Sequence, residues 1–197
     1  VVATLALGMV LAGCLSRPAL VRQTFAFQNP PPSDHAAAGG QGILAVRTIE
    51  VSPLFDRQAF VYRTGPDSYE VDPYASFLIP PDRALAIPIR RWLRDSGAFE
   101  DVIEPGSLIR ADQVLQVFVS ELYGDFRQPD HPAAVLSLRL LLLRSGAGGK
   151  VLLRKDYSRS VPLKQKTAAA VMAGWNQALS EIMGQAATDL AATVETP

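Results

Sequence analysis

Residues 136–143 read Leu136-Ser137-Leu138-Arg139-Leu140-Leu141-Leu142-Leu143, and this stretch decides the fold class. Leucine at every even position lines one face of an extended chain, because side chains alternate sides along a strand. The odd positions begin with Ser137 and Arg139 and end with Leu141 and Leu143, so the other face is only partly apolar. That pattern predicts a central strand.

On its N-terminal side, Val114 to Leu122 reads VLQVFVSEL, a second long strand. On its C-terminal side, Gly146 to Gly149 turns the chain, and Val151 to Ser160 returns as a hairpin partner with Tyr157 and Arg159 at alternating positions. These three segments predict the heart of a sheet.

Further out, Lys164 to Thr167 leads into a terminal helix in which Met172, Trp175, Leu179, Ile182, Ala186 and Leu190 recur at spacings of three and four. Such a stripe packs against a sheet, or else serves as a partner-binding or lipid-facing surface. Upstream, Pro80-Pro81-Asp82 opens a helix to about Ser96, with Leu85, Ile89, Trp92 and Leu93 on one face and Gly97 closing it. Pro88 lies inside this helix and predicts a kink or a late start, since proline removes a backbone bond. Arg90, Arg91 and Arg94 occupy the other side, either as a solvated face or as a patch for anionic lipid head groups or an acidic partner.

Before that helix, Ile43 to Val51 and Ala59 to Arg63 read as strands expected to pair, with Ser52 to Gln58 as the loop between them. Gly65-Pro66-Asp67-Ser68 is a turn signal leading to a short strand at Tyr69 to Val71, which completes an expected antiparallel meander. Phe99 to Ile103 supplies another short strand, and Thr24 to Phe27 an edge strand. The class expected is α/β in the α+β sense: a mainly antiparallel sheet with two amphipathic helices packed on one face.

Residues 1–13 read VVATLALGMVLAG, the uncharged apolar end of a secretory signal. A spanning helix needs roughly 20 apolar residues, and this run stops at Cys14. The division expected is 1–13 as a signal remnant, 14–42 as a lipidated Cys14 with an edge strand and a flexible Pro/Ala/Gly loop, and 43–197 as one domain. Cys14 is the one cysteine, so an internal disulfide is excluded and the core must hold the domain.

Lys plus Arg and Asp plus Glu both total 19, and no global field favours nucleic acid. His35 and His131 lie in turn-like stretches without a second ligand at metal-binding spacing, so no metal and no cofactor is expected. No GxSxG, CxxC, HExxH, Walker-type or dinucleotide motif occurs, and no catalytic residue is assigned. Glu100, Asp101 and Glu104 cluster near a turn, where a solvated surface is the usual reading.

These elements resemble the ABC-type transport auxiliary lipoprotein family, which includes the paraquat-inducible lipoprotein and related partners of MCE-domain lipid transporters. The carriers are LAGC at 11–14, TFAF at 24–27, ILAVRTIEVSPLFDRQAFVYRTGPDSYEVDPYASF at 43–77, IPIRRWLRDSGAFEDV at 87–102 and MAGWNQALSEIMGQAATDLA at 172–191. The run from Asp56 to Arg63, DRQAFVYR, is similar to the family's signature after its first long strand. Departures are a longer Pro- and Ala-rich loop after TFAF and the lack of the family's tryptophan near the start of the first helix, where Phe77 stands nearby.

The resemblance implies a non-catalytic envelope component anchored by acylated Cys14, palmitate included, on the periplasmic face of the outer membrane. It implies partnership with an MCE-domain protein and an ABC permease/ATPase complex that moves phospholipid or other hydrophobic substrates, a homo-oligomer being left open. Asp56, Arg57, Tyr62 and Arg63 are the partner-binding residues it suggests, against a reading as structural turn and sheet packing. Two other readings stay open: a lipid carrier with its own cavity, and a regulator of an envelope enzyme.

Overall fold

The computed structural model describes residues 21–28, 40–104, 106–146 and 149–194. Cys14, the signal remnant 1–13 and most of the Pro/Ala/Gly loop lie outside the described residues. Eight strands and two helices follow in the order β1 (Gln23–Phe25), β2 (Ile43–Val51), β3 (Ala59–Arg63), β4 (Tyr69–Phe77), α1 (Pro81–Asp95), β5 (Asp101–Ile103), β6 (Gln113–Asp125), β7 (Ala133–Arg144), β8 (Val151–Pro162) and α2 (Ala168–Val194). The fold is α+β, with one mixed sheet and both helices sharing a single core.

The leucine strand is β7, and it lies between β6 and β8 in antiparallel register. Leu136, Leu138, Leu140 and Leu142 are all buried on the helix side, facing the stripe of Trp175, Leu179, Ile182, Ala186 and Leu190 on α2. Burying each such leucine is worth about 1.5–3 kcal/mol, so this interface dominates the stability of the domain. The approach is close at Gly174, where a Cβ would stand 2.6 Å from that of Ala134.

The expected pairing of 43–51 with 59–63 does not form. Both β2 and β3 instead run parallel to β6, end to end along one edge: Leu44 to Val51 pairs with Gln113 to Val119, and Tyr62 and Arg63 pair with Gly124 and Asp125. The sheet therefore forks beyond β6, with β5 continuing one prong and β4 then β1 the other. A seven-residue link cannot be distinguished from a hairpin loop by composition, whereas the 13-residue length of β6 gives room for both strands. The meander expectation survives only as the antiparallel hairpin of β3 with β4.

Strand β4 is nine residues long, where only Tyr69 to Val71 was expected. Pro73 marks a bulge rather than an end. Register slips between Ala59/Ser76 and Val61/Val71, and Asp72 Oδ1 accepts the backbone N–H groups of Tyr74 (2.7 Å) and Ala75 (3.0 Å) that the ladder leaves free.

Helix α1 runs unbroken through Pro88, so no late start occurs. Pro88 is itself buried, together with Leu85, Ile89, Trp92 and Leu93, and this burial offsets the backbone bond that proline removes. The edge strand expected at Thr24 to Phe27 is Gln23–Phe25, parallel to β4. The one expected over Phe99 to Ile103 begins two residues later, Phe99 being packed in the core instead.

Candidate functional site

The link from β2 to β3 is a tight turn. Ser52 N–H continues the ladder to Val119 O at 2.8 Å, and Ser52 O then accepts from Phe55 and Asp56 at 2.8 and 2.9 Å. Pro53 follows directly, a residue whose fixed φ suits the second position of such a turn. The turn drives Phe55 inward and leaves Leu54, Asp56 and Arg57 exposed.

Phe55 lands on the sheet face away from the helices. There its ring sits 5.5 Å from that of Tyr123 and 6.0 Å from that of Tyr69, while Tyr69 and Tyr123 meet edge-on at 6.0 Å. Arg63 joins this cluster, its guanidinium 5.7 Å from the Tyr69 ring centroid, with Nε and Nη2 donating to Gly65 O and Pro66 O. Burial pushes the Tyr123 phenol up, and the neighbouring Arg63 partly opposes that shift.

Tyr62 points to the opposite face, as its neighbour must in a strand. It packs over Gly124, stacks on Phe126 with centroids 4.7 Å apart, and donates its hydroxyl to Asp72 Oδ2 at 2.6 Å. Burial first, then the Asp72 carboxylate, raises its pKa well above the ordinary tyrosine range.

The four sequence-suggested residues are thus not one cluster. Asp56 and Arg57 form a charged rim on the turn, Arg63 braces the aromatic cluster, and Tyr62 belongs to the helix-side packing. The sequence reading missed Leu54, Tyr69 and Val71, which are 65%, 42% and 46% exposed at this end of the sheet. The signal available for them was an apolar residue placed in each of two turn-flanking segments, where solvated chain normally carries polar ones.

A separate cleft of about 560 Å³ opens beside the β3–β4 turn, lined by Thr64, Asp125, Arg127, His131 and Ser160 among others. The Arg127 guanidinium, 2.6 Å from Asp125, holds that carboxyl below its ordinary range. Among the described residues no cluster of three or more His, Cys, Asp or Glu side chains could hold a metal, and no helix is long and apolar enough to cross a membrane.

The family model of the ABC-type transport auxiliary lipoprotein component matches residues 25–187. The chain belongs to that family. The match runs from β1 into α2 and contains the whole β2–β3 turn and its aromatic cluster. The family is one of auxiliary components of ABC-type transport, and its lipoprotein character goes with an envelope-associated location.

Solved structures agree on the fold of this auxiliary lipoprotein. A protein of Xanthomonas campestris is similar at 22% identity and a TM-score of 0.73, over 87% of this chain and 96% of that one. An uncharacterised protein matches at 15% identity and a TM-score of 0.63, over 85% and 99% of the two chains. A hypothetical protein of Chlamydia trachomatis matches at 13% identity and 0.53, over 78% and 99%. No curated protein matches the sequence.

Proposed function

We propose that this auxiliary lipoprotein is a non-catalytic docking subunit of an ABC transport system with an MCE-domain partner, which it holds or stabilises for the passage of phospholipid or another hydrophobic substrate. The observation that carries the reading is a set of exposed apolar side chains, Tyr69 and Val71 on one face of β4 and Leu54 on the turn whose Phe55 ring meets Tyr69, with Asp56 and Arg57 exposed on the same turn. Exposed apolar side chains on a rigid aromatic base, with charges at the margin, have the composition of a protein interface. The patch residues flank the Asp56–Arg63 run that resembles the family signature and lie within the 43–77 stretch that carries the resemblance.

In the same reading Cys14 carries the acyl chains and tethers the domain to the periplasmic face of the outer membrane. Cys14→Ser should release the chain from the membrane fraction, and density-gradient separation of the two membranes reads which one it occupies. A carrier role is less supported. The space between α2 and the sheet is filled by fully buried Trp175, Leu179, Ile182 and Met183, where an acyl chain would need a dry cavity of roughly 300 Å³ or more.

The test is crosslinking of the lipidated protein in its native envelope, with partners identified by mass spectrometry. Recovery of an MCE-domain protein and its permease, lost in the Leu54→Asp/Tyr69→Asp variant, supports docking. Recovery of a cell-wall enzyme in their place overturns it.

A further inference from the structure

We propose a second site, on the helix side of the sheet, that takes the phosphate of a phospholipid headgroup between α1 and the bulge of β2. Register is lost between Val46 and Ile49, so Arg47 leaves the ladder at a bulge. It lines a cleft of about 330 Å³ with Ile79, Asp82, Arg83, Ile87 and Arg90. Arg83, Ile87 and Arg90 stand at i, i+4 and i+7 on α1 and therefore share one helix face.

Three guanidiniums meet one carboxylate among the lining residues. Arg90 is partly neutralised, sharing Glu104 with Arg94 at 3.3 and 3.2 Å, and Arg91 is paired with Asp95, so the excess positive charge rests on Arg47 and Arg83. Arg47 and Arg83 make no ion pair among the described residues. Arg90 Nε is buried and has no hydrogen-bond acceptor, and a buried donor without an acceptor is costly. An anion in the cleft would instead be met by the Arg47 and Arg83 guanidiniums and by the outer nitrogens of Arg90, and guanidinium forks match phosphate oxygens in planar, paired bonds.

The neighbourhood favours a lipid as the bearer of that phosphate. Ile87, in the cleft lining, is 58% exposed, and Leu78, the chain neighbour of the lining residue Ile79, is 62% exposed. The volume is at the low end for small-molecule pockets, enough for a phosphate and its glycerol but not for two acyl chains. The chains would lie against Leu78 and Ile87 with the headgroup among the arginines. This inference does not rest on partner docking, because the docking patch is on the other face of the sheet.

The experiment uses the full chain in neutral detergent with isotope-labelled arginine, and follows the side-chain Nε–H resonances by NMR. The probes are dihexanoyl phosphatidylglycerol, glycerol 3-phosphate and inorganic phosphate. A saturable shift at Arg90 with the lipid, at least about tenfold weaker with the two soluble phosphates, is expected. Arg47→Gln/Arg83→Gln should remove it with thermal unfolding unchanged, while Arg91→Gln, outside the cleft, should keep it. Equal affinity for all three probes would overturn the lipid assignment in favour of a soluble phosphate ester. Absence of a saturable shift, or equal loss in Arg91→Gln, would overturn the site.

Discussion

The indole N–H of Trp175 donates to the backbone carbonyl of Val135 at 3.1 Å, reaching from the buried face of α2 into β7. It also lies 3.3 Å from the carbonyl of Tyr123, the residue paired with Val135 across the β6/β7 ladder. The ring meets Phe60 edge-on at 4.8 Å and stacks on Phe77 at 5.5 Å, so one side chain joins the last helix to β6 and β7 and to the β3–β4 prong of the fork. Trp175→Phe keeps most of the ring and deletes the donor, and should cost about 1–3 kcal/mol in urea unfolding. Trp175→Ala should cost about 3–5 kcal/mol through the cavity it leaves.

Gly124 is needed for lack of space and not for backbone freedom. A Cβ there would lie 2.9 Å from Tyr62 Cδ1 and 3.2 Å from Val171 Cγ2. Tyr62 cannot give way easily, being held by Asp72 on one side and Phe126 on the other. Gly124→Ala should therefore destabilise by about 1–3 kcal/mol, and the combined Gly124→Ala/Tyr62→Leu variant should recover part of that loss in the same assay.

Alkaline stability should follow Tyr62 and Tyr157. Tyr157 is buried and Tyr62 half-buried, they donate to the carboxylates of Asp189 and Asp72, and both phenols are pushed up from the ordinary value. A raised folded-state pKa keeps the proton on in the native chain, so the stabilisation is complete below about pH 10, where unfolded tyrosine ionises, and declines above it. Melting temperature should fall steeply from about pH 10 upward, and Tyr62→Phe should flatten that slope. A slope that Tyr62→Phe leaves unchanged would show that other groups set it.

Leu54→Asp with Tyr69→Asp should abolish capture of the proposed MCE-domain partner. Leu54→Asp alone should weaken capture and shift the melting temperature little, Leu54 being 65% exposed, whereas Tyr69→Asp also removes ring contacts with Phe55 and Tyr123 and should lower it. Phe55→Ala should likewise lower the melting temperature, since its ring is buried against Tyr123. Pulldown and thermal melts on the same preparations separate the two effects.

Legibility followed the range of the interactions. The leucines of 136–143 and the stripe from Met172 to Leu190 record a local period, and their strand, helix and buried faces were readable directly. The fork was not. Which edge β2 and β3 join depends on β6, whose paired residues lie more than 60 positions further along the chain, and parallel pairing leaves no turn signature between partners. Pro73 misled for a related reason: the sequence shows the proline, but not that Asp72 would take over the freed N–H groups. Of the site, the stretch from Asp56 to Arg63 was marked by its resemblance, yet the strand's alternation sends Tyr62 and Arg63 to opposite faces. The cluster with Tyr69 and Tyr123 exists only once the strands are assembled.

Among the described residues strand β8 pairs with β7 alone, and Lys155 and Arg159 on it reach back to Asp189 and Glu181 of α2 at 2.7 and 3.3 Å. An open twelve-residue edge invites a neighbour's strand to add to it, and charged side chains turned toward the body of the protein make that addition unfavourable. For a chain held in a membrane plane, where copies collide in two dimensions, these two ion pairs guard against self-propagating sheet growth as well as fastening a helix.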